Sequence, residues 1–147
     1  MHGVGGIECD FCDLGAGGRS DLFIDGGLVF FAASSFGATD ILPGRGVICP
    51  YAHRETPFDL TPEEWTATHE LMAVAKRILD ERLRPDGYNL ISNVGPDAGQ
   101  TVAHAHMHLI PRFNDEPLAG RGARWHLKQP ENLRPDPNAP GLGRAAH

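Results

Sequence analysis

In the segment His104-Ala105-His106-Met107-His108 three imidazoles alternate with apolar residues. A strand sends successive side chains to opposite faces, so this alternation places His104, His106 and His108 on one face, neighbours roughly 6 to 7 Å apart at about 3.4 Å of rise per residue. A neutral imidazole nitrogen serves as nucleophile, acid, base or metal ligand, and three at that spacing suit separate tasks on one ligand. A His-rich tract is otherwise a surface accident or a metal-only site. Here it lies inside an apolar stretch, preceded by Gly95-Pro96-Asp97-Ala98-Gly99-Gln100-Thr101, a turn whose backbone and polar side chains can meet an anion. Gln100 and Thr101 are also ordinary turn residues.

Cys9 and Cys12 have the C-x-x-C spacing of a zinc half-site, and tetrahedral zinc needs two further ligands, commonly histidine. His53, which follows a short apolar run and a proline, and His104 are the candidates for a Cys2His2 site tying the N-terminal segment to the sheet. The alternatives are a surface redox pair or unpaired thiols. The third cysteine, Cys49, sits in Val47-Ile48-Cys49 and is expected to be a buried, inert thiol. An odd cysteine count in a chain long enough to build its own core argues against a disulfide scaffold.

These side chains need a sheet and a buttress. Leu22 to Ala33 makes two strands around the hairpin turn Asp25-Gly26-Gly27, and Val47-Ile48-Cys49-Pro50 a third ended by proline. Tyr88 to Val94 and Val102 to Pro111 make a further pair across the 95–101 turn. Between them Thr61-Pro62-Glu63-Glu64 carries a complete helix start: a Thr cap, proline at the first position and Glu three residues after the cap. Trp65, Met72, Ala75, Ile78, Leu79 and Leu83 form the expected apolar stripe, and Pro85-Asp86-Gly87 ends the helix near residue 84. His69 on this helix is expected to be a packed or solvated residue.

The chain has 147 residues, enough for one core. Its net charge of -6 lacks the positive field that drives nucleic-acid binding, but a small phosphate ester needs only local N–H groups and a few cations. No apolar run approaches the roughly 20 residues of a membrane span, and the N-terminus has no signal-peptide pattern, so a cytoplasmic location is expected. Residues 1–114 are expected to form the domain and 115–147 a C-terminal arm followed by a disordered tail, since 136–141 is too poor in apolar residues to order itself.

Taken together, GQTVAHAHMHLIPR at 99–112 resembles the signature of the histidine triad (HIT) superfamily, in which His alternates with apolar residues. The Cys9-Asp10-Phe11-Cys12 pair, PGRGVICPYAH from Pro43 to His53, the capped helix and GYNLISNVGPDAGQ from Gly87 to Gln100 follow in family order, so the similarity spans roughly residues 7 to 113. The chain resembles zinc-containing bacterial-type members and dinucleoside polyphosphate hydrolases. The resemblance implies an α+β fold: a five-stranded antiparallel sheet with one long helix and a short N-terminal helix, paired as a homodimer with a continuous ten-stranded sheet. It implies a nucleotidyl hydrolase or transferase acting on dinucleoside polyphosphates, nucleoside phosphoramidates or adenylylated compounds. By motif position His106 is the nucleophile and His108 contacts the phosphate or leaving-group oxygen. Cys9, Cys12, His53 and His104 hold structural zinc, and Asn93, Gln100 and Thr101 line the phosphate pocket. Backbone carbonyls on the histidine strand are expected to fix the tautomer of His106.

Two positions depart from the pattern. Arg45 stands where the family has a histidine, and as a permanent cation it either holds a phosphate or is a surface residue. The ribose-contacting Asp or Asn position falls at Gly37, which leaves Asp40 or Ser35 as substitutes. These departures keep open an enzyme of altered specificity for a non-nucleoside phosphate or pathway intermediate. A catalytically idle binding or scaffold protein is the reading of another class, which the intact triad opposes. Arg121, Arg124 and Trp125 resemble a C-terminal segment of some bacterial members and offer nucleotide contacts to a partner subunit, or Trp125 merely anchors the arm.

Overall fold

Asp25-Gly26-Gly27 folds back as its chemistry requires in the computed structural model, which describes residues 8–37, 39–136 and 138. Asp25 Oδ1 accepts the Gly27 N–H at 3.0 Å, and β1 (Leu22–Asp25) pairs antiparallel with β2 (Val29–Ala33). β3 (Gly46–Pro50) follows, then β4 (Gly87–Ile91) and β5 (Met107–Arg112). The five strands are ordered β1-β2-β3-β5-β4, and every neighbouring pair is antiparallel. β5 is therefore an interior strand between β3 and the edge strand β4, and His108 stands opposite both Val47 and Ile91.

Two helices cover the two faces. The long helix α2 spans Pro62–Leu83, and its capping box is closed: Glu64 N–H reaches Thr61 Oγ1 at 3.1 Å and Thr61 N–H reaches Glu64 Oε1 at 2.8 Å. It ends at Arg84, whose left-handed φ of 50° breaks the turn before Pro85. Its Leu71, Ala75 and Leu79 pack on Val29, Phe31, Ile48 and Leu109 of the sheet. On the opposite face α1 (Asp10–Gly15) sets Phe11 and Leu14 against Phe30, Ala32 and Cys49. β2 is consequently buried on both sides. Fully burying a side chain the size of Phe30 or Phe31 is worth about 1.5 to 3 kcal/mol, so this strand is the structural centre from which both layers are held.

Three expectations need correction. The buried stripe of α2 runs Glu64, Thr68, Leu71, Ala75, Leu79, whereas Trp65 is 43% exposed. Two polar residues occupy the buried face because their groups are satisfied there: Thr68 Oγ1 donates to Glu64 O at 2.8 Å and Glu64 binds Arg54. The histidine strand begins at Met107 rather than Val102, because the Ala105 N–H turns to Arg54 O at 2.6 Å instead of joining the sheet. Correspondingly β4 stops at Ile91 rather than Val94, and beyond it Ser92 Oγ donates to His106 O at 2.9 Å. His69 is exposed, one of the two alternatives expected for it.

After β5 the chain folds back on Arg112, whose guanidinium donates to the carbonyls of Arg121 at 2.8 Å and Leu118 at 3.1 Å and pairs with Glu116 at 2.8 Å. A short helix α3 (Ala123–Leu127) follows. The disordered tail expected from residue 136 onward lies, apart from positions 136 and 138, outside the described residues. Among those residues no helix is long and apolar enough to cross a membrane.

Candidate active site and metal centre

His106 is buried, and its Nδ1 lies 2.8 Å from the backbone carbonyl of His104. A carbonyl only accepts, so Nδ1 carries the proton and Nε2 keeps the lone pair. The orienting carbonyl was expected on the histidine strand; it comes from the residue two before, just outside it. The His106 and His108 rings stand 4.9 Å apart nearly perpendicular, closer than an ideal strand repeat because the chain leaves the sheet at Met107. Phe11 of α1 packs its ring 4.6 Å from His106. His108 is held below the usual 6.5 by burial first and by repulsion from His106 second, so at neutral pH it is an uncharged N–H donor.

His104 lies on the same side of the chain, its ring 6.1 Å from the Phe11 ring that also packs on His106. The His104 Nε2 meets Pro50 O at 2.8 Å, which places the proton there and leaves Nδ1 free to accept. That Nδ1 lies 3.3 Å from Cys9 Sγ and 3.4 Å from Cys12 Sγ, and His53 Nδ1 lies 3.3 Å from Cys12 Sγ. All four ligand atoms fall within 4.8 Å of one another. Tetrahedral zinc with its usual bond lengths sets sulfur and nitrogen roughly 3.5 Å apart, so the donor set and its spacing fit that ion. The Pro50 carbonyl is the outer partner that fixes a ligating histidine. Burial first, then the hydrogen bond and charge of Cys9, push the Cys12 thiol up to about 11. Cys49 is fully buried and its thiol is pushed upward chiefly by that burial, as expected of an inert core cysteine.

The expected phosphate-pocket residues fare differently. Gln100 has its amide committed to the loop: Oε1 accepts the Gly95 N–H at 2.9 Å, and Nε2 donates to Glu55 O at 2.7 Å and Val102 O at 3.0 Å. It shapes the turn instead of presenting donors. Asn93 lies under the same turn, its amide 3.5 Å from where a side chain on Gly99 would begin, and Thr101 is exposed. Arg45 lines a cavity of about 320 Å³ together with His108, and its Nη1 donates to Ile41 O. Gly44 before it has a φ of +78°, and a Cβ there would run into Leu83. At Gly37 the missing carboxylate is partly replaced in space, since Asp40 Oδ2 accepts the Gly37 N–H at 2.8 Å, but Asp40 lines a different hollow. That hollow, about 570 Å³ between the 36–43 loop and the 112–118 segment, contains none of the histidines.

Sequence reasoning did not find Arg54, Glu64, Ser92, Phe11 or Arg19 as parts of this site. Glu64 was legible only as a cap, and Phe11 only as the residue between two cysteines. Arg54 and Ser92 carry no local signal, because their roles depend on contacts 10 to 51 residues away in the chain, Arg54 to Glu64 and Ala105 and Ser92 to His106. Arg19 is placed only by the cavity it lines with Arg45 and His108.

Known proteins bear on this geometry. The HIT domain family matches residues 39–115. Protein hit of Bacillus subtilis is 32% identical over 86% of this chain and 88% of its own length. A bis(5'-adenosyl)-triphosphatase of Dictyostelium discoideum is 40% identical over 49% of this chain, which spans only 48% of that enzyme. Among solved structures, a HIT family protein from Bacillus anthracis superposes with a TM-score of 0.66 at 30% identity, covering 84% of this chain and 88% of that one.

Proposed function

The chain belongs to the HIT family, and on that premise we propose that it is a nucleotide hydrolase or transferase that cleaves at the α-phosphate of a nucleotide derivative through a nucleotidyl-histidine. The observation that carries the reading is the single tautomer imposed on His106 by the His104 carbonyl, which leaves Nε2 as the attacking lone pair. Nε2 of His106 forms a bond to the α-phosphorus while the bond from phosphorus to the leaving oxygen or nitrogen breaks and the leaving group keeps the electron pair. His108, uncharged at neutral pH, donates its N–H to that atom or to a phosphate oxygen. Water then attacks phosphorus, the N–P bond breaks, and the water proton leaves with solvent. Asn93, Gln100 and Thr101 surround the reacting phosphate, Gln100 by holding the turn from within, and Arg45 binds phosphate from the cavity it shares with His108. The Dictyostelium triphosphatase supports a dinucleoside polyphosphate among the substrates.

Cys9, Cys12, His53 and His104 would hold zinc, which would supply structural cross-linking rather than a reacting centre, since four protein ligands leave no open position for substrate. A homodimer that continues the sheet through an edge strand, β1 or β4, belongs to the same reading, with sedimentation of the purified protein as its check.

The decisive experiment is rapid quench at high pH, where a phosphoramidate survives, with diadenosine triphosphate and adenosine phosphoramidate as substrates. A mass increase of one adenosine monophosphate less water on His106, absent in His106→Asn along with turnover, is expected. Near-normal turnover in His106→Asn would falsify the nucleophile assignment.

A further inference from the structure

We infer that the cavity beside His108 takes a nucleotide phosphorylated on its ribose as well as at the reacting position, with Arg19 and Arg45 holding the second phosphate. The inference rests on the function proposed above. The cavity, about 320 Å³, lies at the small end of the range for ligand pockets, roughly 300 to 1,000 Å³, and suits one nucleoside-sized body. Phe11, Leu14 and Val47 supply apolar wall, and Arg19, Arg45 and His108 supply its charge and N–H donors.

Its electrostatics run against those of the chain. Acidic residues outnumber basic ones 19 to 13, yet no carboxylate lines this cavity. The neighbouring hollow that holds Asp40 also holds Asp115 and Glu116. Where cations are strongly held elsewhere they are neutralised, as in Arg54 with Glu64, Lys76 with Asp80 and Arg112 with Glu116. Among the described residues neither Arg19 nor Arg45 forms an ion pair with a carboxylate. The bond from Arg45 to Ile41 O fixes its guanidinium without cancelling its charge and leaves further N–H groups for an oxyanion.

Ser20 and Ser34 line the cavity and can accept from ribose hydroxyls, but no carboxylate there balances the two arginines. Two guanidinium groups call for an anion. These cations share one cavity with the apolar wall, so an anion they bind lies close to the ring system. A phosphate on the ribose meets that condition; a more distant phosphate of a polyphosphate chain does not.

The test is isothermal titration of the purified full chain with adenosine 5'-monophosphate and with its 2',5'- and 3',5'-bisphosphates, which needs no turnover. At least one bisphosphate is expected to bind tenfold or more tightly than the monophosphate, with Arg19→Gln or Arg45→Gln bringing the ratio within about twofold and Arg45→Lys retaining part of it. Equal affinities overturn the inference, as does a preference that survives both Gln variants. Diadenosine tetraphosphate turned over far better than the triphosphate in an Arg45-dependent way, with no bisphosphate preference, moves the second anion to the polyphosphate chain and overturns the ribose assignment. Turnover of adenosine phosphoramidate without a bisphosphate preference sinks this inference alone. No binding of any nucleotide and no turnover sinks the proposed function with it.

Discussion

Arg54 donates from Nε to the buried carboxylate of Glu64 at 3.0 Å, while its own backbone carbonyl receives the N–H of Ala105, the residue between His104 and His106. The first turn of α2 is thereby tied to the stretch that carries both the metal-facing and the attacking imidazole. Burial raises the Glu64 pKa, but the Thr61 and Arg54 hydrogen bonds outweigh it and the net shift is downward. Its stabilisation is present above the ordinary value of 4.5 and is lost as pH falls through the lower folded value.

Glu64→Ala removes a cap acceptor and the partner of a partly exposed arginine, and is expected to destabilise by about 2 kcal/mol. Glu64→Gln keeps the cap and should lose about half as much. Urea unfolding at pH 7 measures both, and indistinguishable midpoints for wild type and Glu64→Ala would show that the tie contributes nothing.

The metal centre makes a separate prediction. Protein purified without chelator should contain one zinc per chain by elemental analysis, and Cys9→Ser or Cys12→Ser should lower zinc content and Tm far more than the chemical step of the folded fraction. Metal-free wild type with an unchanged Tm would remove zinc from the account.

For His108 the pH dependence of stability has a definite sign. Its folded pKa lies below the ordinary 6.5, so the unfolded chain takes up its proton first as pH falls. The contribution is complete above pH 6.5 and is lost progressively below it, toward the folded pKa. His108→Asn should therefore lose less stability than wild type between pH 7.5 and about 5.5, measured by thermal unfolding in matched buffers. Parallel curves for the two proteins would contradict the burial assigned to this imidazole.

Much of the scaffold was legible because its signals are local. Thr61 to Glu64 announces a helix start through atoms three residues apart, and Asp25-Gly26-Gly27 closes its turn within itself. The four metal-facing residues were legible from donor chemistry although they span 95 positions, since few side chains can do that work. The start of the histidine strand was not. Alternation of His and apolar residues over 104–108 suggests strand throughout, but whether Ala105 joins the sheet depends on a carbonyl 51 positions earlier. Gln100 misled for a related reason: an amide beside a glycine-rich turn looks available, and only the fold brings Glu55 O within its reach. The stripe on α2 shifted because Glu64 and Thr68, polar in composition, are satisfied in place and go inside.

His104 offers its ring to two thiols and its backbone oxygen to His106, so one residue belongs to both centres. The connection between them is two peptide units long and contains no slack. A single inserted or deleted residue there cannot be absorbed by a loop, because it would rotate one imidazole away from its partner whichever way the chain relaxed. Any redesign of this protein must therefore treat 104–106 as an indivisible block, grafted whole or left alone, whereas the surrounding turn can be lengthened at its exposed tip near Asp97.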